Sequence, residues 1–271
     1  MNAYLVSHNG LGDNLFMIGA IRFLLQFYNK IFFLCKNKYY DNVKLVFYDN
    51  LNVICVPFNE NNEYNDIYNI IHKKYYYNDI LICGCHTQYI STKINHRSLL
   101  KYRNINNKYT IDFDTLTSSN YYFIENFYKN INLNLTHFFD YFYIPSTSQS
   151  VQLYNSIKNY YIVFIQLKSS NGISLNIQNL INKYLHDKNT ILICNDLNIY
   201  DKNINPLFFD LAQQFVYNYI IHYYDTILNS NEIYIIDSCF TGIVLPLAKT
   251  NKLKANTVRI ILRNLANNII L

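Results

Sequence analysis

The chain has no tryptophan, two methionines, four prolines and only six glycines in 271 residues, and 15% of it is charged. So little charge excludes an extended, self-repelling chain. So little proline and glycine excludes collagen-like or low-complexity architecture. The 23 lysines and arginines are dispersed, with no block of five or six, whereas nucleic-acid binding needs a concentrated basic face. No apolar run approaches the ~20 residues of a membrane span, and no amino-terminal stretch reads as a signal peptide. These absences together lead us to expect a cytoplasmic protein with no nucleic-acid partner.

What is present is apolar and aromatic. Half of the chain is hydrophobic, with 28 tyrosines and 18 phenylalanines, enough for a sizeable core in one large domain or two ordinary ones. Tyr, Phe, Asn, Ile and Lys have AT-rich codons, so "KKYYY" (73–77) and "YNYIIHYY" (217–224) do not by themselves read as stacking platforms for nucleic acid. The net charge of +5 suits a small anionic ligand. Of the six cysteines, Cys35, Cys55, Cys83 and Cys194 lie inside apolar runs and read as reduced, buried strand residues. Cys83, Cys85 and His86 lack the second ligand pair of a zinc site, so no metal is expected there.

Short apolar runs alternate with helical patterns. Strands are expected at 3–8, 30–36, 52–57 and 79–85, with helices at 14–28, around 39–48 and at 64–76. From about Gln88 to Phe142 the pattern is helical and aromatic. A turn-rich stretch, "IPSTSQS" (144–150), interrupts it. Strands then follow at 160–167, 189–196, 232–237 and 256–264, with helices at 175–187, 208–215, 218–230 and 238–250. Alternation of this kind implies βαβ units and parallel sheets. We expect two α/β domains, 1–147 and 148–271.

Three of the six glycines, Gly10, Gly12 and Gly19, fall within ten positions, around "SHNGLGDNLF" (7–16). This is the corner between the first strand and first helix, at the sheet edge where ligands bind in open α/β folds. Leu15 stands where a dinucleotide fingerprint needs its third glycine, and no Gly-Lys-Ser/Thr follows. Glycine here offers positive φ or close approach. Asp13 is read either as a helix cap or as a carboxylate facing substrate. Asn14 opens the helix, whose first N–H groups suit an anion, and His8, beside the turn at the strand end, is read as a catalytic candidate that contacts substrate or donates to the developing phosphate charge, or else as structural.

"HNGLGDNLFMIGAIRFL" resembles the amino-terminal signature of GT-B glycosyltransferases of the heptosyltransferase-like group. "NSNEIYIIDSCFTGIVLPLA" (229–248) resembles that group's carboxyl-terminal pattern, a strand ending in Asp-Ser before a helix that faces the donor. The chain also looks similar to predicted glycosyltransferases of large DNA viruses, which would place it in the host cytoplasm. The two motifs cover about a sixth of the chain.

The resemblance implies an α/β, GT-B-like fold of two Rossmann-like domains whose parallel sheets face a central cleft. The amino-terminal domain would hold a glycan or other hydroxyl acceptor, and the carboxyl-terminal domain a nucleotide-sugar donor. Transfer would be inverting and metal-independent, with no further cofactor. The acid of the glycine turn, proposed as general base in that group, maps onto Asp13. Gly10, Gly12 and Asn14 would line the same corner. Asp237, Ser238, Cys239, Phe240 and Thr241 would form the donor corner, with Ser238 as helix cap and the N–H groups of Ser238 to Thr241 on the diphosphate. Gln166 and Lys168 face the mouth of the neighbouring strand, where Lys168 could neutralise the leaving diphosphate, and Asn195 could touch base or ribose. Basic residues are otherwise sparse near both motifs. His222 reads as packing, with a phosphate role open. A second reading is a catalytically silent relative that serves as a nucleotide- or glycan-binding subunit.

Overall fold

The computed structural model describes residues 1–7, 10–72, 74, 77–84, 122–196, 202, 207–263, 266 and 270–271. It is an α/β structure with two four-stranded, all-parallel sheets. The described residues up to Pro145 form one compact unit and Ser146–Leu271 the other.

In the first unit β1 (Asn2–Val6), β2 (Lys30–Lys36), β3 (Val53–Phe58) and β4 (Asn78–Ile82) lie in the order β3-β2-β1-β4. Ala3, Leu5 and Val6 have no exposed surface. A strand covered on both faces reads as a continuous apolar run, as this one does. The chain steps from β1 outward to β3, then crosses to the far side of β1 for β4. This reversal puts a switch point between the carboxyl ends of β1 and β4, the usual ligand crevice of such sheets.

The single helix expected over 14–28 is two, α1 (Leu11–Phe16) and α2 (Ile18–Leu24), broken at Met17. The cause lies 108 residues away. The buried hydroxyl of Tyr128 accepts the N–H of Ala20 at 3.0 Å and donates to the carbonyl of Phe16 at 2.9 Å. It thus occupies the i→i+4 bond that would have joined these two residues, a recognised cause of helix kinks. Tyr128 belongs to α5 (Tyr122–Asn130), which follows α3 (Tyr40–Val46) and α4 (Glu63–Ile71). Next, α6 (Thr136–Asp140) lies so close to α2 that a Cβ on Gly19 would stand 2.4 Å from the carbonyl oxygen of His137. Gly19 therefore serves helix packing.

The second unit, opened by α7 (Ser148–Ile157), again holds a four-stranded parallel sheet. Here β5 (Tyr161–Gln166), β6 (Thr190–Cys194), β7 (Glu232–Ile236) and β8 (Thr257–Ile261) have the order β6-β5-β7-β8. The connecting helices are α8 (Gln178–Tyr184), α9 (Phe209–Ala212), α10 (Tyr224–Asn229) and α11 (Thr241–Lys249). The switch point falls between β5 and β7. The helix expected over 218–230 begins as a 3-10 turn, Ile220–Tyr223, before α10. Most of the aromatic segment between Gln88 and Phe142 lies outside the described residues. No described helix is long and apolar enough to cross a membrane.

Candidate functional site

Each unit brings chemistry to its own switch point. In the first, β1 leads through Ser7 to Gly10, the N-cap of α1, whose φ of −92° is ordinary for any residue. Neither Gly12 nor Gly19 has positive φ either; among the described glycines only Gly84 and Gly172 do. Gly10 and Gly19 are thus explained by close approach and not by left-handed backbone.

Asp13 is the third residue of α1, not its N-cap. Its Oδ2 reaches back to accept the N–H of Gly10 at 2.7 Å, which is the acidic half of a capping box. A Cβ on Gly10 would lie 2.9 Å from that oxygen, so glycine at this position lets the carboxylate close. Asn14 is buried; its Nδ2 donates to the Gly10 carbonyl at 3.0 Å, while Oδ1 has no hydrogen-bond partner among the described residues. Across the switch point, the N–H of Gly84 donates to Oδ1 of the buried Asn130 at 2.9 Å. His8, Cys85 and His86 lie outside the described residues.

The second unit concentrates more groups. Gln166 ends β5 and is buried; its Nε2 donates to the carbonyl of Lys168 at 3.3 Å and contacts Sγ of Cys239 at 3.7 Å. Its Oε1 has no partner among the described residues. A buried, unpaired amide oxygen is costly and marks a place where a ligand donor would be welcome. Lys168 Nζ pairs with Oδ2 of Asp196 at 2.8 Å, and this contact raises the ammonium above the ordinary lysine pKa. Lys168 therefore brings its charge to the edge already shared with a carboxylate. Asn195, next to Asp196, accepts a weak bond from Sγ of Cys194 at 3.7 Å.

Beyond β7, Asp237 and Ser238 lead into α11, whose N-cap is Phe240 and not Ser238. The N–H of Ser238 is taken by Oγ1 of Thr241 at 3.2 Å, and that of Thr241 by the Ser238 carbonyl at 3.0 Å. Two of the four N–H groups expected to face an anion are therefore bonded within the turn. Burial pushes the Cys239 thiol pKa up, despite hydrogen bonds from the side chain of Ser238 and the backbone of Phe240. The Phe240 ring turns into the core between Phe164 and Tyr223, at 5.2 and 5.3 Å. His222 has a buried Nδ1 without a partner among the described residues, and burial lowers its pKa.

One basic residue at this edge escapes a sequence reading. Arg263, two residues past β8, donates from Nε to the carbonyl of Asp237 at 2.6 Å. The bond holds its guanidinium beside the Asp237–Thr241 corner, 26 residues away in sequence. Among the described residues no three His, Cys, Asp or Glu side chains are grouped to hold a metal ion. The sequence does hold one Asp-x-Asp pair, Asp112-Phe113-Asp114, which lies outside the described residues.

No protein-family model and no curated protein matches the chain. Solved structures do. An Escherichia coli ADP-heptose lipopolysaccharide heptosyltransferase II matches 96% of this chain and 85% of its own at 11% identity, with a TM-score of 0.56. A glycosyl transferase family 9 protein from Veillonella parvula matches 90% and 77% at 12% identity and 0.52. The E. coli heptosyltransferase WaaC, solved with ADP, matches 95% and 86% at 12% identity and 0.50. The fold is that of the GT-B heptosyltransferases.

Proposed function

We propose that the chain transfers a sugar from a nucleotide-sugar donor to an acceptor hydroxyl, with Ser146–Leu271 binding the donor and the amino-terminal unit the acceptor. The observation that carries this reading is the gathering of Gln166, Lys168, Asp237–Thr241 and Arg263 at one sheet edge. The amino end of α11 favours negative charge, and Arg263 adds a full positive charge suited to phosphate. Gln166 Oε1 accepts a hydrogen bond from the ligand, and Asn195 contacts its ribose or base. WaaC, one of the structures similar in fold, was solved with ADP, the ligand class assigned here to this edge.

Asp13 acts as general base. The acceptor oxygen attacks the anomeric carbon and its proton passes to the Asp13 carboxylate. The bond from anomeric carbon to phosphate oxygen breaks, and the nucleoside diphosphate leaves with the electron pair. Attack opposite the leaving group inverts the anomeric centre. Lys168 and Arg263 offset the charge that develops on the diphosphate, so no metal ion is required. His8, placed by sequence beside Gly10, contacts the acceptor.

Calorimetric titration with a panel of nucleoside diphosphates and nucleotide sugars tests the reading. It requires saturable binding of at least one nucleotide sugar and its slow hydrolysis or transfer. Binding of none would overturn it.

A further inference from the structure

Tyr217 combines features that packing alone does not account for. Its side chain is 92% exposed, and its φ of +57° is left-handed, a conformation unusual for an aromatic residue. Strain of this kind persists only where its surroundings enforce it, and it clusters at ligand clamps. The surroundings here are firm. The Tyr223 hydroxyl donates to the Phe215 carbonyl, and Nδ2 of Asn218 donates to the Gln214 carbonyl at 2.7 Å. The Tyr223 ring in turn packs edge-on against Phe164 of β5 and Phe240 at the start of α11, at 5.9 and 5.3 Å. A short segment pinned to the floor of the donor corner thus holds one aromatic ring out in solvent.

Its position follows from the strand order. Along the carboxyl edge, in the order β8, β7, β5, β6, stand Arg263, Asp237–Thr241, then Lys168 and Asp196. Tyr217 follows α9, which packs against β6, and lies within electrostatic reach of Lys168, at the β5–β6 end. Arg263 and the amino end of α11 lie at the β7–β8 end, Lys168 lies next to them past β5, and the exposed ring lies beyond. We infer that Tyr217 is the stacking platform for the nucleobase of the donor, with the diphosphate between Arg263 and Lys168 and the ribose near Asp196. This inference rests on the donor reading above and adds to it the residue that holds the base. Stacking tolerates any base, because each has a π face, so Tyr217 sets affinity and orientation and leaves the choice of base to other groups.

The absence of tryptophan from the chain makes the test direct. Full-length wild type, Tyr217→Ala and Tyr217→Trp are titrated with ADP, GDP, UDP, CDP and inorganic pyrophosphate, with circular dichroism confirming the fold. For the tightest nucleoside diphosphate, Tyr217→Ala should weaken binding about 5- to 100-fold and leave pyrophosphate binding within about two-fold. The single indole of Tyr217→Trp should be quenched saturably by that nucleotide and not by pyrophosphate. Equal losses for nucleotide and pyrophosphate, or an unchanged nucleotide affinity with no quenching, would overturn the platform while leaving donor binding intact. Failure of wild type to bind any nucleoside diphosphate would remove both readings.

Discussion

Oδ2 of Asp13 accepts the backbone N–H of Gly10 at 2.7 Å, and only the lack of a side chain on Gly10 allows that approach. Gly10 and Gly19 are thus required for different reasons. In Gly10→Ala the new Cβ meets the movable end of Asp13, so the carboxylate is displaced at a cost of about 0.5–1 kcal/mol in stability. Turnover should fall far more than that. In Gly19→Ala the Cβ meets backbone of α6 at 2.4–2.8 Å, which cannot yield cheaply. Overpacking of about 1–3 kcal/mol should outweigh the ~1 kcal/mol gain in helix propensity. Thermal denaturation beside an activity assay separates them: Gly10→Ala stable and slow, Gly19→Ala unstable.

Glu232, 6% exposed, takes hydroxyl bonds from Tyr161, Tyr184 and Tyr234 at 3.0, 2.8 and 2.9 Å, with Lys183 at 3.6 Å. Burial pushes its pKa up, but the three hydroxyls and Lys183 win and hold it below the ordinary value of 4.5. A carboxylate whose pKa is lowered by folding stabilises the fold above its unfolded pKa, and that contribution is lost as pH falls through the folded value. Stability of the wild type should drop as pH falls below about 4.5. Glu232→Gln should melt lower at pH 7 and show a shallower acid limb. Parallel acid limbs in the two proteins would contradict this.

All eight strands among the described residues are legible in the sequence, because a parallel strand buried on both faces is a short continuous apolar run. The two corners are legible for a related reason: Gly10–Asp13 and Asp237–Thr241 each directly follow such a run. What the chain alone conceals is non-local. The break at Met17 is made by a hydroxyl on Tyr128, Arg263 meets Asp237 only once β7 and β8 are paired, and the carboxylate of Glu232 takes hydroxyls from Tyr234 of its own strand, Tyr161 of the neighbouring β5 and Tyr184 of α8. Asp13 is the third residue of α1 and not its cap, because the helix begins at Leu11, earlier than its apolar stripe. The left-handed backbone of Tyr217 has no sequence signal at all, since Gly or Asn is the residue expected there.

Arg263 should contribute more to phosphate binding than Lys168, whose charge Asp196 already shares. Charge-assisted hydrogen bonds are worth about 1.5–3 kcal/mol, so Arg263→Ala should weaken a nucleoside diphosphate about 10- to 100-fold and leave the parent nucleoside unaffected. Equal affinity of Arg263→Ala and wild type for the diphosphate would remove Arg263 from the donor site.

Donor binding should survive chelation, with Arg263, Lys168 and the α11 terminus supplying the positive charge. The affinity measured in EDTA should equal that in Mg²⁺ or Mn²⁺. Loss of binding in EDTA, restored by either ion, would instead direct attention to Asp112 and Asp114, whose paired carboxylates are suitable oxygen ligands.

The central claim is that Asp13 takes the proton of an acceptor hydroxyl. The most direct test is turnover of a nucleotide sugar by wild type and Asp13→Asn, with the donor dissociation constant and melting temperature measured on the same preparations. The amide oxygen can still accept the Gly10 N–H, so fold and donor affinity should be unchanged. Turnover should fall about 10²–10⁴-fold, the usual contribution of a positioned base. An Asp13→Asn protein that turns over within a few-fold of wild type, with the same stability and donor affinity, would show that the carboxylate only closes the helix end.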